Sequence, residues 1–421
     1  MKSTNKRYLV AILIGACFCL AARAEVLDRP SGIKIGERMT LRPYVSLSIT
    51  YDSNVNGNSG SVTGSSKKDD FLWTVSPGLS LHYNAETWSV ILSGYYNYRQ
   101  YFDKAHRNND HNTFGEDLRF NWSNASGSEK GWSLILGQGF QQITTFDDMV
   151  LGDGSNYGGD SRQFQFSAAL QRRFNQNWHA DVNAAYYWLD YDNSSSSRAS
   201  YFGWDRWLVG GEIGYAASKW ADILISGSYH GYSQDNTAGS EISSSSRGYS
   251  VQAGFASFMT ERISYRALAG WSRFEYGDGA ASDDGFIYTL SGNWKIGETW
   301  NTMLLGTSYY QPSERQYASQ ARVDSISWGI AKMMVRGKLR ASLDIRYRHE
   351  NNEYAGNDPG SWDYSLDVWT GRLGLDYSLN RFLSFFVYGE YQTSMNDHAS
   401  SRGGMYDYDR WRVTGGLRIS Y

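Results

Sequence analysis

From Trp411 to Tyr421 the chain alternates without a break. Trp411, Val413, Gly415, Leu417, Ile419 and Tyr421 fall on one face, and Arg412, Thr414, Gly416, Arg418 and Ser420 on the other. A period of two is the signature of a β-strand with one apolar and one polar face. Left as a free sheet edge in water, such a strand recruits other chains. The expectation is a strand paired on both sides, with its apolar face in lipid and its polar face in a wet interior. The last strand of a closed antiparallel barrel meets that requirement.

The same period recurs along the chain, and eighteen segments carry it. The first is about Leu41–Tyr51, with Val45, Leu47 and Ile49 on one face. The second is about Asp70–Tyr83, with Phe71, Trp73, Val75, Leu79 and Leu81 outward, and the last is about Arg410–Tyr421. Most reach the ~9–11 residues that cross a bilayer at barrel tilt. Short connections such as Asn84–Glu86 and Asn175–Asn177 alternate with long ones such as Asn54–Lys68 and Thr144–Asp160. That alternation predicts an all-β, closed transmembrane barrel of about eighteen strands, with short periplasmic turns and long extracellular loops. A soluble sandwich or propeller is the rival, but its strands are usually ~5–6 residues long. Trp88, Trp132, Trp178, Trp220 and Trp300 recur beside the short turns, where an interfacial girdle belongs. Sugar stacking is the alternative use for these rings.

Composition agrees. Mean hydropathy is −0.53, yet aromatics make up 16% of the chain, with 32 Tyr and 16 Trp. There are only 5 Pro, each of which would cost a ladder donor. Lys2, Lys6 and Arg7 precede an apolar run from Tyr8 to Ala22, and Ala22-Arg23-Ala24 fits a cleavage site. Residues 1–24 therefore read as a signal peptide for the general secretory route. A membrane anchor is the alternative, with a run too short for it, and Ile14–Cys17 loosely resembles a lipobox. Residues 25–40 are expected to form a periplasmic N-terminal segment, and 41–421 the barrel. Both cysteines, Cys17 and Cys19, lie in the leader, so the mature chain has no thiol for a disulfide or a metal. Removing the leader takes the basic residues from 40 to 36 against 43 acidic ones, a net charge near −7. Nucleic acid is excluded as a partner on that balance.

No catalytic constellation stands out, and no enzyme, cofactor or metal is expected. The seven histidines are His82, His106, His111, His179, His230, His349 and His398, and none has metal-ligand spacing. A nucleophile elbow is also missing. A hydrolytic barrel stays open as a reading that replacement of His111 or His179 would test. The acidic loop from Thr144 to Asp160 lacks the spacing of a calcium loop and reads as solvated surface.

The inward face is more informative. By alternation Lys338, Arg340, Arg346, Arg348, Arg372, Arg410, Arg412 and Arg418 point inward, against Asp344, Asp376 and Glu390. Eight cations against three acids predicts a basic wall sector, which favours anions. Paired charges that stiffen the wall are the alternative.

Four further clusters carry a resemblance. They are Tyr51-Asp52-Ser53-Asn54-Val55, Ser76-Pro77-Gly78-Leu79, Tyr95-Tyr96-Asn97-Tyr98 and Asn109-Asp110-His111-Asn112. Across about residues 41–122 the chain resembles a family of outer-membrane β-barrel porins encoded beside exopolysaccharide synthesis genes. Its end, with Trp411, Val413, Leu417, Ile419 and Tyr421, resembles the membrane-insertion signal of outer-membrane barrels. The resemblance implies a Gram-negative outer membrane, contact with its lipid, the barrel-assembly machinery and periplasmic polysaccharide-export components as partners, and a role in polysaccharide export. A general diffusion porin for small anions or sugars is the alternative function, and a structural or adhesive barrel a further one. Tyr51–Asn54 also reads as a turn motif, since Asp, Ser and Asn bond their own backbone.

Overall fold

The computed structural model describes residues 32–55, 69–103, 111–124, 131–144, 160–192, 204–218, 220–234, 245–260, 262–276, 282–312, 320–335, 337–353, 364–396 and 408–421. A short strand, β1 (Ile33–Ile35), precedes β2 (Met39–Asp52), β3 (Asp70–Asn84), β4 (Trp88–Tyr101), β5 (His111–Ser123) and β6 (Gly131–Thr144). The series continues with β7 (Asp160–Arg173), β8 (Trp178–Asp192), β9 (Trp204–Ser218), β10 (Ala221–Gln234), β11 (Ser245–Thr260), β12 (Ile263–Tyr276) and β13 (Ser282–Ile296). It ends with β14 (Trp300–Pro312), β15 (Gln320–Met334), β16 (Leu339–Glu353), β17 (Tyr364–Ser378), β18 (Leu383–Asn396) and β19 (Tyr408–Ser420). Each strand from β2 to β19 pairs antiparallel with the next, and β19 returns to β2, with Val413 opposite Tyr51 and Ile419 opposite Val45. The result is the expected closed eighteen-strand barrel. The strand β1 pairs with the start of β2, so residues 33–35 of the supposed N-terminal segment extend the sheet. Residues 1–31, where the leader is expected, lie outside the described residues, as do most of the long loops, His106 and His398.

Short turns hold their shape through side chains placed by the sequence. Asn175 Oδ1 accepts from the backbone N–H of Asn177 and of Trp178, both at 2.8 Å. Asn380 Oδ1 accepts in the same way from Phe382 at 2.8 Å and Leu383 at 2.9 Å. These are the Asx turns that Asn favours. The β15–β16 turn uses Gly337 at φ +83° but also Val335 at φ +51°, a region where a β-branched residue is strained.

The outward face is the apolar one. Val45, Leu47 and Ile49 on β2 and Val413 and Ile419 on β19 are all exposed, and lie side by side across the seam. At the short-turn end Trp88 stacks on Tyr83 at 4.8 Å, and Trp178 meets Tyr215 at 4.8 Å. Arg172 sits 4.4 Å from the Trp132 ring centroid, and Lys332 4.4 Å from that of Trp300. An aromatic ring flanked by a cation is the expected composition of a membrane interface. A second girdle near the long-loop end includes Tyr96, Tyr347, Trp369 and Trp411, with Tyr347 and Trp369 at 4.6 Å.

Candidate functional site: the lumen wall

Register and alternation fix which side chains face the lumen. Arg340, Arg346, Arg348, Arg372, Arg410, Arg412 and Arg418 sit at even positions of β16, β17 and β19, opposite the exposed apolar set. The sequence placed Lys338 with them, but β16 begins at Leu339, and Lys338 is an exposed turn residue.

These cations do not form a bare basic sector. Asp344 lies opposite Arg372, Arg372 opposite Glu390, Glu390 opposite Arg412, and Arg412 opposite Asp52. Charge therefore alternates across five consecutive strands, from β16 through the seam to β2. Within this row Arg412 Nε donates to Glu390 Oε1 at 3.0 Å, and its Nη2 donates to the same oxygen. Arg410 Nε donates to both Asp52 oxygens, at 2.9 and 3.0 Å. Arg348 pairs with Glu350 on its own strand. Counting Asp344, Asp376 and Glu390 alone missed two acids. Glu350 lay beyond the expected end of its strand, and Asp52 reaches the row only by closure. The expected basic sector is corrected to a nearly compensated ladder, of the cross-strand kind that stabilises a sheet. Among the described residues Arg346 and Arg418 have no carboxylate opposite them, and Arg340 and Arg372 face acids in register without closing an ion pair.

The Tyr51–Asn54 motif belongs to this seam. Asp52 Oδ1 accepts from the backbone N–H of Asn54 at 3.0 Å, and Asn54 Nδ2 donates to the Asp409 carbonyl at 3.1 Å. Ser53 N–H donates to the Trp411 carbonyl at 2.9 Å, while Trp411 N–H donates to Ser53 Oγ at 2.7 Å. The motif clips the last strand to the first.

Three inward tyrosines lie against glycines of an adjacent strand. A Cβ on Gly78 would stand 2.2 Å from Tyr44 Cζ, one on Gly115 2.6 Å from Tyr95 Cζ, and one on Gly374 2.8 Å from Tyr388 Cδ1. Each ring occupies the space that a glycine leaves on the inner wall. The Arg372 guanidinium carbon lies 4.4 Å from the Tyr388 centroid. On the other side of the barrel Arg266 of β12 makes a bidentate pair with Glu212 of β9, with Nη1–Oε1 at 2.8 Å. The pair reaches over the two intervening strands, which contribute the buried Leu224 and Ala256.

Near the long-loop end the inward face turns apolar and buried, which sequence reasoning missed. Phe274 is 0% exposed and packs with Ile287 and Tyr310. Tyr187, Leu189 and Tyr232 form a second cluster with Ala185. Val323 and Leu366 are buried as well. A signal was present: Phe71-Leu72-Trp73, Tyr186–Leu189 and Phe286-Ile287-Tyr288 are apolar at consecutive positions, so both faces of those strand ends avoid water.

No group of three or more His, Cys, Asp or Glu residues that could hold a metal occurs among the described residues. His349 Nδ1 lies 2.9 Å from Asp367 Oδ1 on the outer face, with Tyr347 donating to the same oxygen at 2.7 Å. No described serine is hydrogen-bonded to that histidine. His179 faces the lumen against Gly214, and the side chain of His111 lies outside the described residues.

A family model described as "Putative beta-barrel porin 2" matches residues 29–421. No curated protein matches the sequence. Among solved structures, the FrpB iron transporter from Neisseria meningitidis (F3-3 variant) is similar at 10% identity and TM-score 0.48, over 94% of this chain and 83% of that one. The siderophore receptor PirA from Acinetobacter baumannii is similar at 8% identity and TM-score 0.45, over 92% and 81%. The outer membrane protein opdK from Pseudomonas aeruginosa gives 13% identity and TM-score 0.43, over 90% and 99%.

Proposed function

Because the chain belongs to the family described as Putative beta-barrel porin 2, and so is an outer-membrane channel protein, we propose that its cargo is a secreted polysaccharide. The observation that carries this reading is the pair of inward tyrosines Tyr44 and Tyr95, each with its ring in the space over a glycine, with Tyr388 placed likewise but covered by Arg372. A sugar ring offers an apolar C–H face and a rim of hydroxyls. A flat aromatic surface takes the face, and the Asp344–Arg372–Glu390–Arg412–Asp52 row offers donors and acceptors to the rim. Because the row is nearly compensated, it holds no ion strongly. Conduction needs contacts weak enough to release.

The buried apolar clusters at the long-loop end support a channel that is narrow at rest and widens for its cargo. On this reading residues 1–24 direct export, the closing residues Trp411, Val413, Leu417, Ile419 and Tyr421 engage the barrel-assembly machinery, and the short-turn end meets periplasmic export components. Deletion of the gene, scored for surface polysaccharide, tests the proposal. Synthesis should continue, with polymer accumulating in the periplasm while none reaches the surface. Normal surface polymer in the deletion strain would sink it. A diffusion porin for small anions or sugars is the second reading, favoured by Arg346 and Arg418, which face no carboxylate among the described residues. It requires steady open conductance of the purified barrel in a planar bilayer.

A further inference from the structure

The lipid-facing band carries one flaw. On β5 the outward positions run Phe114, Glu116, Leu118, and both hydrophobic neighbours of Glu116 are exposed. Gly115, the position between them, faces the lumen beneath Tyr95, which fixes Glu116 on the outer side. Glu116 lies opposite Gly94, one outward layer deeper than the girdle residue Tyr96, which lies opposite Phe114. On β6 the neighbouring outward group is Gln138, whose Nε2 donates to Glu116 Oε1 at 3.5 Å, a long and weak bond. Other outward charges of the described strands lie at the girdle layer or beyond it: Arg162 shares the layer of Gln142 and Phe114, Arg273 and Asp284 that of Tyr249, and Asp324 lies one pair beyond Tyr347. Lys332 and Arg172 stack on girdle tryptophans, and the Arg247–Glu275 pair lies beyond the girdle.

A charge on the lipid face of a barrel is unfavourable in proportion to its depth. Polar groups kept in the band of a membrane protein are usually covered by protein. We infer that this patch is covered by the same patch of a second copy of the chain, across a two-fold axis along the membrane normal. All copies insert with one polarity, so Glu116 and Gln138 of one copy meet their counterparts at equal depth. The patch is self-complementary, since the Gln138 amide donates and the Glu116 carboxylate accepts, as an isologous contact requires. Gly94 beside Glu116 has no side chain to hold the partner away, and small residues let membrane-embedded backbones approach.

The test uses the full barrel in lipid vesicles with a short thiol-to-thiol cross-linker. Leu118→Cys, next to the patch, should give a covalent dimer. Leu373→Cys, more exposed still on β17, and the chain without an added cysteine should not. Adding Glu116→Leu and Gln138→Leu to Leu118→Cys should lower dimer yield about three- to ten-fold. Retained heat-modifiable mobility on gels shows that the barrel is still folded. Absence of a dimer from Leu118→Cys, equal yield from Leu373→Cys, or an undiminished yield in the folded triple variant overturns the inference. So does a cross-link in whole outer membranes that goes only to a different protein.

Discussion

Arg410 and Asp52 stand 358 positions apart in the chain, yet the Arg410 Nε bonds both carboxylate oxygens of Asp52 across the barrel seam. Arg410 is 4% exposed and Asp52 0%. Closure brings them together, and they in turn hold the closure. Removing one member of a buried pair leaves the other charged without a partner, typically at a cost of about 3–5 kcal/mol. Asp52→Ala should therefore lower the urea midpoint of the lipid-embedded barrel, with a loss of about 3 kcal/mol. The double variant Asp52→Leu/Arg410→Met should recover much of it, because neither charge is then stranded. An additive loss in the double variant would show that the pair is not the source.

The alternating row makes a separate statement about ions. Glu390 lies between Arg372 and Arg412 and bonds the latter. Replacing Glu390 with Gln unmasks positive potential without changing shape. One unit charge about 8 Å from a permeating ion in water is worth roughly 0.5 kcal/mol, or about twofold. Reversal potentials in a salt gradient should shift toward anions by about that factor. A shift toward cations, or none, would mean that the row lies off the conduction path.

How much of this was readable in the residues depends on range. The two-residue period is local, so strand count, the outward faces of β2 and β3 and the inward faces of β16 to β19 follow from it. Compensation of the arginines is not local. Asp52 meets Arg410 only because an eighteen-strand sheet closes, and a strand-by-strand reading cannot count it. Glu350 was missed for a smaller reason, since the alternation runs one pair further than the apolar residues alone suggest. The buried loop-end clusters break the period, and a method built on period reads such a break as noise.

A turn prediction follows from Val335, held at φ +51° in the β15–β16 connection. Left-handed backbone costs an ordinary L-residue roughly 1–2 kcal/mol, and glycine almost none. Val335 is also exposed, so its side chain has little packing to lose. Val335→Gly should raise stability by about 1 kcal/mol and speed the final pairing of β15 with β16. Equilibrium urea unfolding in vesicles measures it, and a destabilised variant would show that the turn relaxes to another conformation.

Tyr44 and Tyr95 offer a test of sugar contact. Tyr44→Ala/Tyr95→Ala removes two aromatic surfaces while keeping the glycines beneath them, so the sheet itself should persist. Stacking of this kind is expected to contribute about 1 kcal/mol per ring, by analogy with other aromatic contacts. Current blockade by soluble oligosaccharides that touch both rings should then need about thirtyfold more sugar. Unchanged blockade with unchanged single-channel conductance would remove the tyrosines from the sugar path.

The loop-end cluster gives a test of the proposal that the channel is narrow at rest. Phe274, Ile287 and Tyr310 come from three consecutive strands and bury one another on the inner face. Phe274→Ala should cost about 3 kcal/mol, because the cavity it leaves collapses only in part. The loss falls at the mouth and not in the lipid band, so the barrel should still assemble. What changes is the resting aperture: with the cluster loosened, planar-bilayer recordings should show larger and more frequent conductance steps than the unaltered protein gives. Phe274→Leu keeps most of the apolar volume and should sit between the two. If Phe274→Ala lowers stability but leaves conductance unchanged, the cluster braces the wall without governing the aperture, and the constriction must be sought elsewhere along the lumen.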